Sequence, residues 1–241
     1  MTAAPSPGGI PPREPIGDFA PFGVLAFTTT RVAGDFGLRD TDPDPATQGR
    51  WRALHVELAS TAPRLASARQ VHGTRILEHG DGWEGWLHVD GADGHFTRAS
   101  GVACAVTVAD CVPVFLAHPS GAVALLHAGW RGTAARVVAK GIERLRDTGL
   151  EAAELKVHLG PAICGRCYEV GPDVFQQLTG WTTIRKRNVD LRALLAEQAK
   201  ESGVRQITAS PYCTRCDNDR FFSHRAGDTE RQVAVIMAPL R

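Results

Sequence analysis

The chain has 241 residues, 43% of them apolar, and carries 27 basic against 26 acidic side chains for a net charge of +1. That length and apolar share fit one large packed domain or two small ones, and the balanced charge gives no global reason to bind nucleic acid or an anionic membrane. The most apolar stretch, Val102 to Ala117, is broken by Asp110 and Pro113 and is too short to span a bilayer, and Met1 to Phe22 lacks the apolar core of a signal peptide. Cytoplasm is therefore the expected location, and the six cysteines read as thiols or metal ligands rather than a disulfide framework.

Met1 to Asp18 is rich in Pro and Gly and reads as a mobile tail, with one folded domain over 19–241. Gly23 to Thr30 reads as a strand, Arg31 to Pro45 as turns, and Trp51, Leu54 and Leu58 recur at helical spacing. A strand over Ala68 to Val71 delivers His72. Three short apolar runs follow, Ala103 to Val108, Val112 to Ala117 and Ala122 to Leu126, each bounded by polar or turn residues. Beyond His127, the residues Val137, Val138, Ile142 and Leu145 form one apolar helical stripe with Thr133 as the expected N-cap. Further strands are expected at Leu155 to Leu159, Gln206 to Ala209 and Gln232 to Met237, and a helix over Val189 to Ser202. Strands and helices intermix without strict alternation, which favours an α/β fold of mixed sheets, α+β-like in arrangement, over a doubly wound one.

His72, Cys111 and His127 each sit at the end of an expected strand. Two imidazoles and a thiolate suit zinc or copper, and three protein ligands leave a fourth position for water or substrate. Spacings of 39 and 16 residues match no local motif, so on spacing alone each is equally a buried hydrogen-bonding His or a small hydrophobic Cys. Arg131 stands between Gly129 and Gly132 just before a helix, where backbone amides favour an anion, although the glycines serve a tight turn equally well. Asp110 is a candidate general acid or base, a group orienting a ligand, or a turn-forming residue. Two Cys-x-x-Cys pairs, Cys164 with Cys167 and Cys213 with Cys216, are open to a four-cysteine zinc site or a redox role. His55-Val56-Glu57 and the later Cys pair fail the zinc-deaminase pattern, because an extra residue separates Pro211 from Cys213.

Gln70-Val71-His72-Gly73, Ala109-Asp110-Cys111-Val112-Pro113, His127-Ala128-Gly129-Trp130-Arg131-Gly132, Gly160-Pro161-Ala162-Ile163 with Cys167-Tyr168-Glu169-Val170, and Phe221-Phe222-Ser223-His224-Arg225 resemble, in order, the laccase-domain purine nucleoside phosphorylases. That family is also known as polyphenol oxidase and peptidoglycan editing factor. The resemblance runs from about Thr29 to the C-terminus. It implies a single-domain layered α/β/β/α sandwich, with His72, Cys111 and His127 on the family's zinc ligands and copper as another occupant. It further implies phosphorolysis of adenosine, inosine and methylthioadenosine, with some adenosine deamination. The implied partners are a purine nucleoside and phosphate, with no nucleic acid, membrane or protein partner.

On that basis Arg131, with Arg31 or Arg225, is expected to hold phosphate, and Gln70 to line the substrate site. Asp110 or His224 is expected to polarise or protonate the base. Two departures stand out: Arg31 leads into Val32-Ala33-Gly34-Asp35-Phe36-Gly37-Leu38 instead of a Gly-Gly turn, and Cys164 replaces a Gly after Ile163. The rival readings are a copper phenol oxidase, a cell-wall precursor hydrolase and a zinc-stabilised binding module. Nine histidines without a His-x-His pair argue against a multicopper cluster.

Overall fold

The computed structural model describes residues 12–38 and 44–238. In chain order the strands are β1 (Arg13–Pro15), β2 (Leu25–Thr29), β3 (Arg64–Arg69), β4 (Ile76–His79), β5 (Gly85–Asp90), β6 (Gly94–Thr97), β7 (Val102–Val108), β8 (Val112–Ala117), β9 (Val123–Ala128), β10 (Lys156–Leu159), β11 (Glu169–Val170), β12 (Arg187–Asn188), β13 (Gln206–Ala209) and β14 (Gln232–Ala238). The helices are α1 (Pro45–Leu58), α2 (Trp130–Ala134), α3 (Val137–Arg146), α4 (Pro172–Thr179) and α5 (Leu191–Glu201).

Two mixed six-stranded sheets, ordered β1-β2-β14-β7-β3-β5 and β13-β10-β8-β9-β6-β4, carry the fold, and β11 pairs with β12 separately. The innermost strands β7, β8, β9 and β14 are predominantly apolar because each is buried on both faces. Side chains alternate across a strand, and the core divides accordingly. Cys104, Val106 and Val108 of β7, Phe115 and Ala117 of β8, Val123 and Leu125 of β9, and Ala234 and Ile236 of β14 meet between the sheets. The intervening Ala103, Ala105, Val233 and Val235 face Trp51, Leu54 and Leu58 of α1. Val112, Val114, Leu116, Ala124 and Leu126 face the stripe of α3 and the buried side of α5. Helices therefore cover both outer faces, which gives the expected layered α/β/β/α sandwich.

Sequence periodicity located the central strands and missed β4, β5 and β6. β4 and β5 are sheet edges with polar, half-exposed residues, and β6 offers only Phe96 as a large apolar residue. The tail expected over Met1 to Asp18 is corrected for residues 12–18. Arg13–Pro15 adds an edge strand to β2, Arg13 pairs with Glu57 at 3.0 Å, and Asp18 sits in a 3₁₀ turn bonded to His158 at 3.0 Å. The remainder of that tail, residues 1–11, lies outside the described residues. Thr133 is not an N-cap: α2 starts after Gly129, so Thr133 lies inside it and its hydroxyl donates to the Gly129 carbonyl at 2.9 Å. α3 instead follows Arg136, whose backbone is left-handed at φ 60°. No helix among the described residues is long and apolar enough to cross a membrane.

The alternation between layers has a direct stability test. Leu125→Ala, emptying a fully buried position between the sheets, is expected to cost about 2–5 kcal/mol in urea unfolding. Leu25→Ala, at a position 51% exposed, is expected to change stability by no more than about 0.5 kcal/mol.

Candidate active site

Two features of chain routing bring the three distant residues together. β8 and β9 are antiparallel and pair Val112 with Ala128 and Pro113 with His127, so Cys111, just before β8, is carried to the end of β9 that holds His127. β3 and β5 run parallel in one sheet, and β4 and β6 run parallel in the other. The links 70–75 and 91–93 therefore cross from sheet to sheet side by side. The first carries His72 and the second carries Asp93.

Asp93 is fully buried and was not singled out from the sequence. Its Oδ1 accepts from the His72 amide at 2.8 Å and from His127 Nδ1 at 2.8 Å. Its Oδ2 accepts from the Val71 amide at 3.2 Å and the Gly73 amide at 2.6 Å. These bonds hold His72 in a left-handed backbone conformation, φ 59°. Burial acts to raise the Asp93 pKa, but the His127 hydrogen bond and charge, with the backbone amides, outweigh it and hold the carboxyl below its usual range. Occupying His127 Nδ1 leaves Nε2 as the coordinating nitrogen, the usual arrangement behind a metal-bound imidazole. The only sequence signal was an Asp between Ala92 and Gly94 at the end of a polar link.

One ligand atom from each of His72, Cys111 and His127 lies within 4.8 Å of the others. The two imidazole rings stand edge to face at 4.8 Å between centroids. Gly129 packs against them, and a Cβ there would meet Cys111 Sγ and His72 Cδ2 at 3.0 Å each. Burial would raise the Cys111 thiol, yet the charge and hydrogen bond of His127 and the contact with His72 pull it down to about 6. Burial likewise disfavours the His127 cation, but the Cys111 thiolate and Asp93 push it up to about 9. A deprotonated sulfur, a fixed imidazole tautomer and a second imidazole on a constrained loop make a donor set suited to zinc or copper.

Two recesses meet at this cluster. A cleft of about 520 Å³ includes Trp51, Gln70, Thr107 and Arg231 with His72, Cys111, His127 and His224. A second recess of about 290 Å³ is lined by Asp110, Trp130, Arg131, Tyr168 and Arg225, with His72, Cys111 and His224 again. His224 is exposed and borders both. The Arg131 guanidinium stacks over Trp130 at 4.5 Å and makes no hydrogen bond or ion pair among the described residues, while its backbone carbonyl accepts from the Ala135 amide at 2.9 Å. Arg225 stacks over Tyr168 at 4.7 Å and gives Nη1 to the Glu169 carbonyl at 2.9 Å.

Other expected site residues are placed differently. Arg31 lines neither recess: it pairs with Asp228 at 2.6 Å, donates to the Asn218 carbonyl at 2.8 Å and lies over Phe222. Its role is to tie the 31–33 turn to 218–228, because its charge is matched there. Gln70 borders the larger cleft but spends its amide on β7: Nε2 donates to the Thr107 carbonyl at 2.8 Å, and Oε1 accepts from the Thr107 amide at 2.7 Å. Asp110 has both oxygens engaged, by the Thr214 hydroxyl at 2.6 Å and the Arg225 amide at 2.7 Å.

A two-sheet sandwich with a His–Cys–His cluster at the end of its inter-sheet core defines the class of protein. The profile of the multi-copper polyphenol oxidoreductase laccase family matches residues 32–239, and the chain belongs to this laccase-domain family. A purine nucleoside phosphorylase of Deinococcus radiodurans is 35% identical over 217 residues, covering 84% of this chain and 81% of its own. An adenosine deaminase from an unknown prokaryotic organism is 31% identical, covering 84% and 88%. The crystal structure of the Bacillus licheniformis hypothetical protein YfiH superposes with a TM-score of 0.84 at 25% identity, covering 95% of this chain and 97% of that one. YlmD from Geobacillus stearothermophilus gives 0.80 at 29% identity, covering 90% and 93%.

The ion pair within the cluster sets a pH dependence for chelator-treated protein. Cys111 is depressed, so its thiolate and the stability it contributes are lost as pH falls through about 6. His127 is raised, so its cationic contribution is lost as pH rises through about 9. Alkylation of Cys111 by iodoacetamide is expected to show a midpoint near pH 6. In His127→Gln the midpoint moves upward, because burial then acts with less opposition. An unchanged midpoint in that variant counts against the pairing.

Proposed function

We propose that this chain is a purine nucleoside phosphorylase dependent on a metal ion, zinc in the first instance, held by His72, Cys111 and His127. The observation that carries the reading is the position of that cluster between two recesses, one of which presents Arg131 and Arg225. Phosphorolysis needs an anion held beside the sugar, charge relief on the departing purine and a sheltered cleft. The larger cleft lies in the size range of small-molecule sites, and the exposed His224 at its border suits contact with a base. Arg131, with its guanidinium uncommitted, and Arg225, partly committed, suit phosphate. His224 lines both recesses, and in this reading it passes a proton to a purine nitrogen as the glycosidic bond breaks. Asp110 acts as a positioning residue here, holding the Arg225 backbone and Thr214. A metal ion in the cluster supplies Lewis-acid chemistry.

The relatives named purine nucleoside phosphorylase support this reading. Adenosine deamination in the same cleft is the second reading, favoured by the relative of that name and by a three-ligand cluster with room for a fourth partner.

Purified protein loaded with zinc is expected to release adenine from adenosine only when phosphate is supplied, with ribose 1-phosphate as co-product. Phosphate-independent formation of inosine supports deamination instead. Oxidation of a phenol under copper loading without adenine release sinks the phosphorylase reading. Arg131→Ala is expected to lower kcat/KM for phosphate by about 10²-fold or more, the usual size for removal of one charge-stabilising donor. Asp93→Asn is expected to weaken zinc binding by about 10–100-fold in competition with a chromogenic chelator. Unaltered affinity in that variant removes Asp93 from the support of His127.

A further inference from the structure

Away from the His–Cys–His cluster, the two Cys-x-x-Cys pairs converge. Cys164 and Cys167 lie in the turn after β10, and Cys213 and Cys216 lie in the turn after β13. These strands are parallel neighbours, and an isolated bridge joins Ala162 to Cys213. One sulfur from each of the four cysteines lies within 4.8 Å of all the others. The Cys167 and Cys216 sulfurs are 3.5 Å apart.

We propose that Cys164, Cys167, Cys213 and Cys216 hold a second ion, zinc, in an all-cysteine structural site. Four sulfurs at about 2.3 Å from one zinc stand about 3.8 Å from each other, which is the spacing this group approaches. Disulfides would draw the sulfurs together in pairs at about 2.05 Å and give no reason for all four to surround one point. Backbone amides already meet the sulfur of Cys213, from Cys164 at 3.2 Å and from Cys216 at 3.4 Å. Each thiol gives its proton to solvent on ligation, so four thiolates around a divalent ion carry a net charge of about −2. Each pair has an arginine just before its second cysteine, Arg166 and Arg215, and Arg215 Nη1 donates to the Cys167 carbonyl at 3.3 Å. The Arg215 guanidinium, held beside the group by that bond, is available to offset part of the charge.

The site has a structural consequence for the recess beside the first cluster. The segment following Cys164 carries Tyr168, and the segment following Cys216 carries His224 and Arg225. The two cysteine-bearing turns also grip Asp110: the amide of Ile163, just before Cys164, donates to its carbonyl at 3.1 Å, and Thr214, just after Cys213, donates to its carboxylate at 2.6 Å. A metal staple between the two turns fixes the wall of that recess. This inference is independent of which reaction the protein performs.

The test is metal stoichiometry on the whole protein, grown with zinc and purified without chelator. Elemental analysis is expected to find two zinc ions per chain in the wild type and one in Cys111→Ala. Cobalt added to metal-stripped Cys111→Ala is expected to give the intense visible and thiolate charge-transfer bands of tetrahedral sulfur ligation. Those bands should disappear in Cys111→Ala combined with Cys213→Ser. Should that variant fail to fold, Cys216→Ser at the exposed position supplies the same comparison, with the bands again lost. Cys111→Ala without metal, cobalt bands of oxygen or nitrogen ligation only, or thiols of the second group freed only by dithiothreitol would each overturn the proposal.

Discussion

The buried carboxylate of Asp93 is the interaction on which the cluster depends. A charge removed from water is costly unless donors surround it, and Asp93 accepts three backbone amides and one imidazole. Its own carbonyl accepts the His127 amide at 2.7 Å. One residue thereby fixes the loop that bears His72, the rotation and tautomer of His127, and the separation of two links that cross between sheets. Replacing these bonds with apolar packing would keep the links near each other, but it would specify neither imidazole.

Asp110 does comparable work on the opposite side of Cys111. Its carboxylate takes Thr214 and the Arg225 amide, while its carbonyl takes Ile163. His72 and Asp110 are also two of the three non-glycine residues with positive φ among the described residues, at 59° and 81°. A left-handed L-residue costs about 1–2 kcal/mol. Such strain persists where surrounding bonds over-determine the backbone, often at functional sites. Here the strained residues flank Cys111 in space and in sequence respectively, and each is held by a buried carboxylate, His72 by that of Asp93 and Asp110 by its own.

The central sandwich was legible in the sequence because β7, β8, β9 and β14 are buried on both faces and therefore read as uninterrupted apolar runs. The edge strands β4 and β5 were not, since one side of each meets solvent and the hydrophobic period is lost. The three cluster residues could be picked out as strand-end residues of suitable chemistry, but their spacing carried no motif. Their meeting depends on the antiparallel β8–β9 register and on parallel links between sheets, both non-local properties. Asp93 was invisible for a further reason: its importance lies in accepting bonds from backbone amides, whose sequence is irrelevant to the bond. Arg31 shows the converse, because only the fold reveals Asp228 beside it.

Electrostatic commitment, more than charge count, therefore distinguishes the arginines near the site. Arg31 is neutralised by Asp228 and sandwiched against Phe222, so its charge is spent within the scaffold. Arg225 gives one nitrogen to Glu169 and stacks on Tyr168, which orders the side chain while leaving other donors. The Arg131 guanidinium lies over Trp130 and has no other partner, hydrogen bond or ion pair, among the described residues. In the smaller recess Arg131 and Arg225 share the wall with the Asp110 carboxylate, whose oxygens are already taken by the Thr214 hydroxyl and the Arg225 amide. In the proposed function, this is the recess that takes the phosphate.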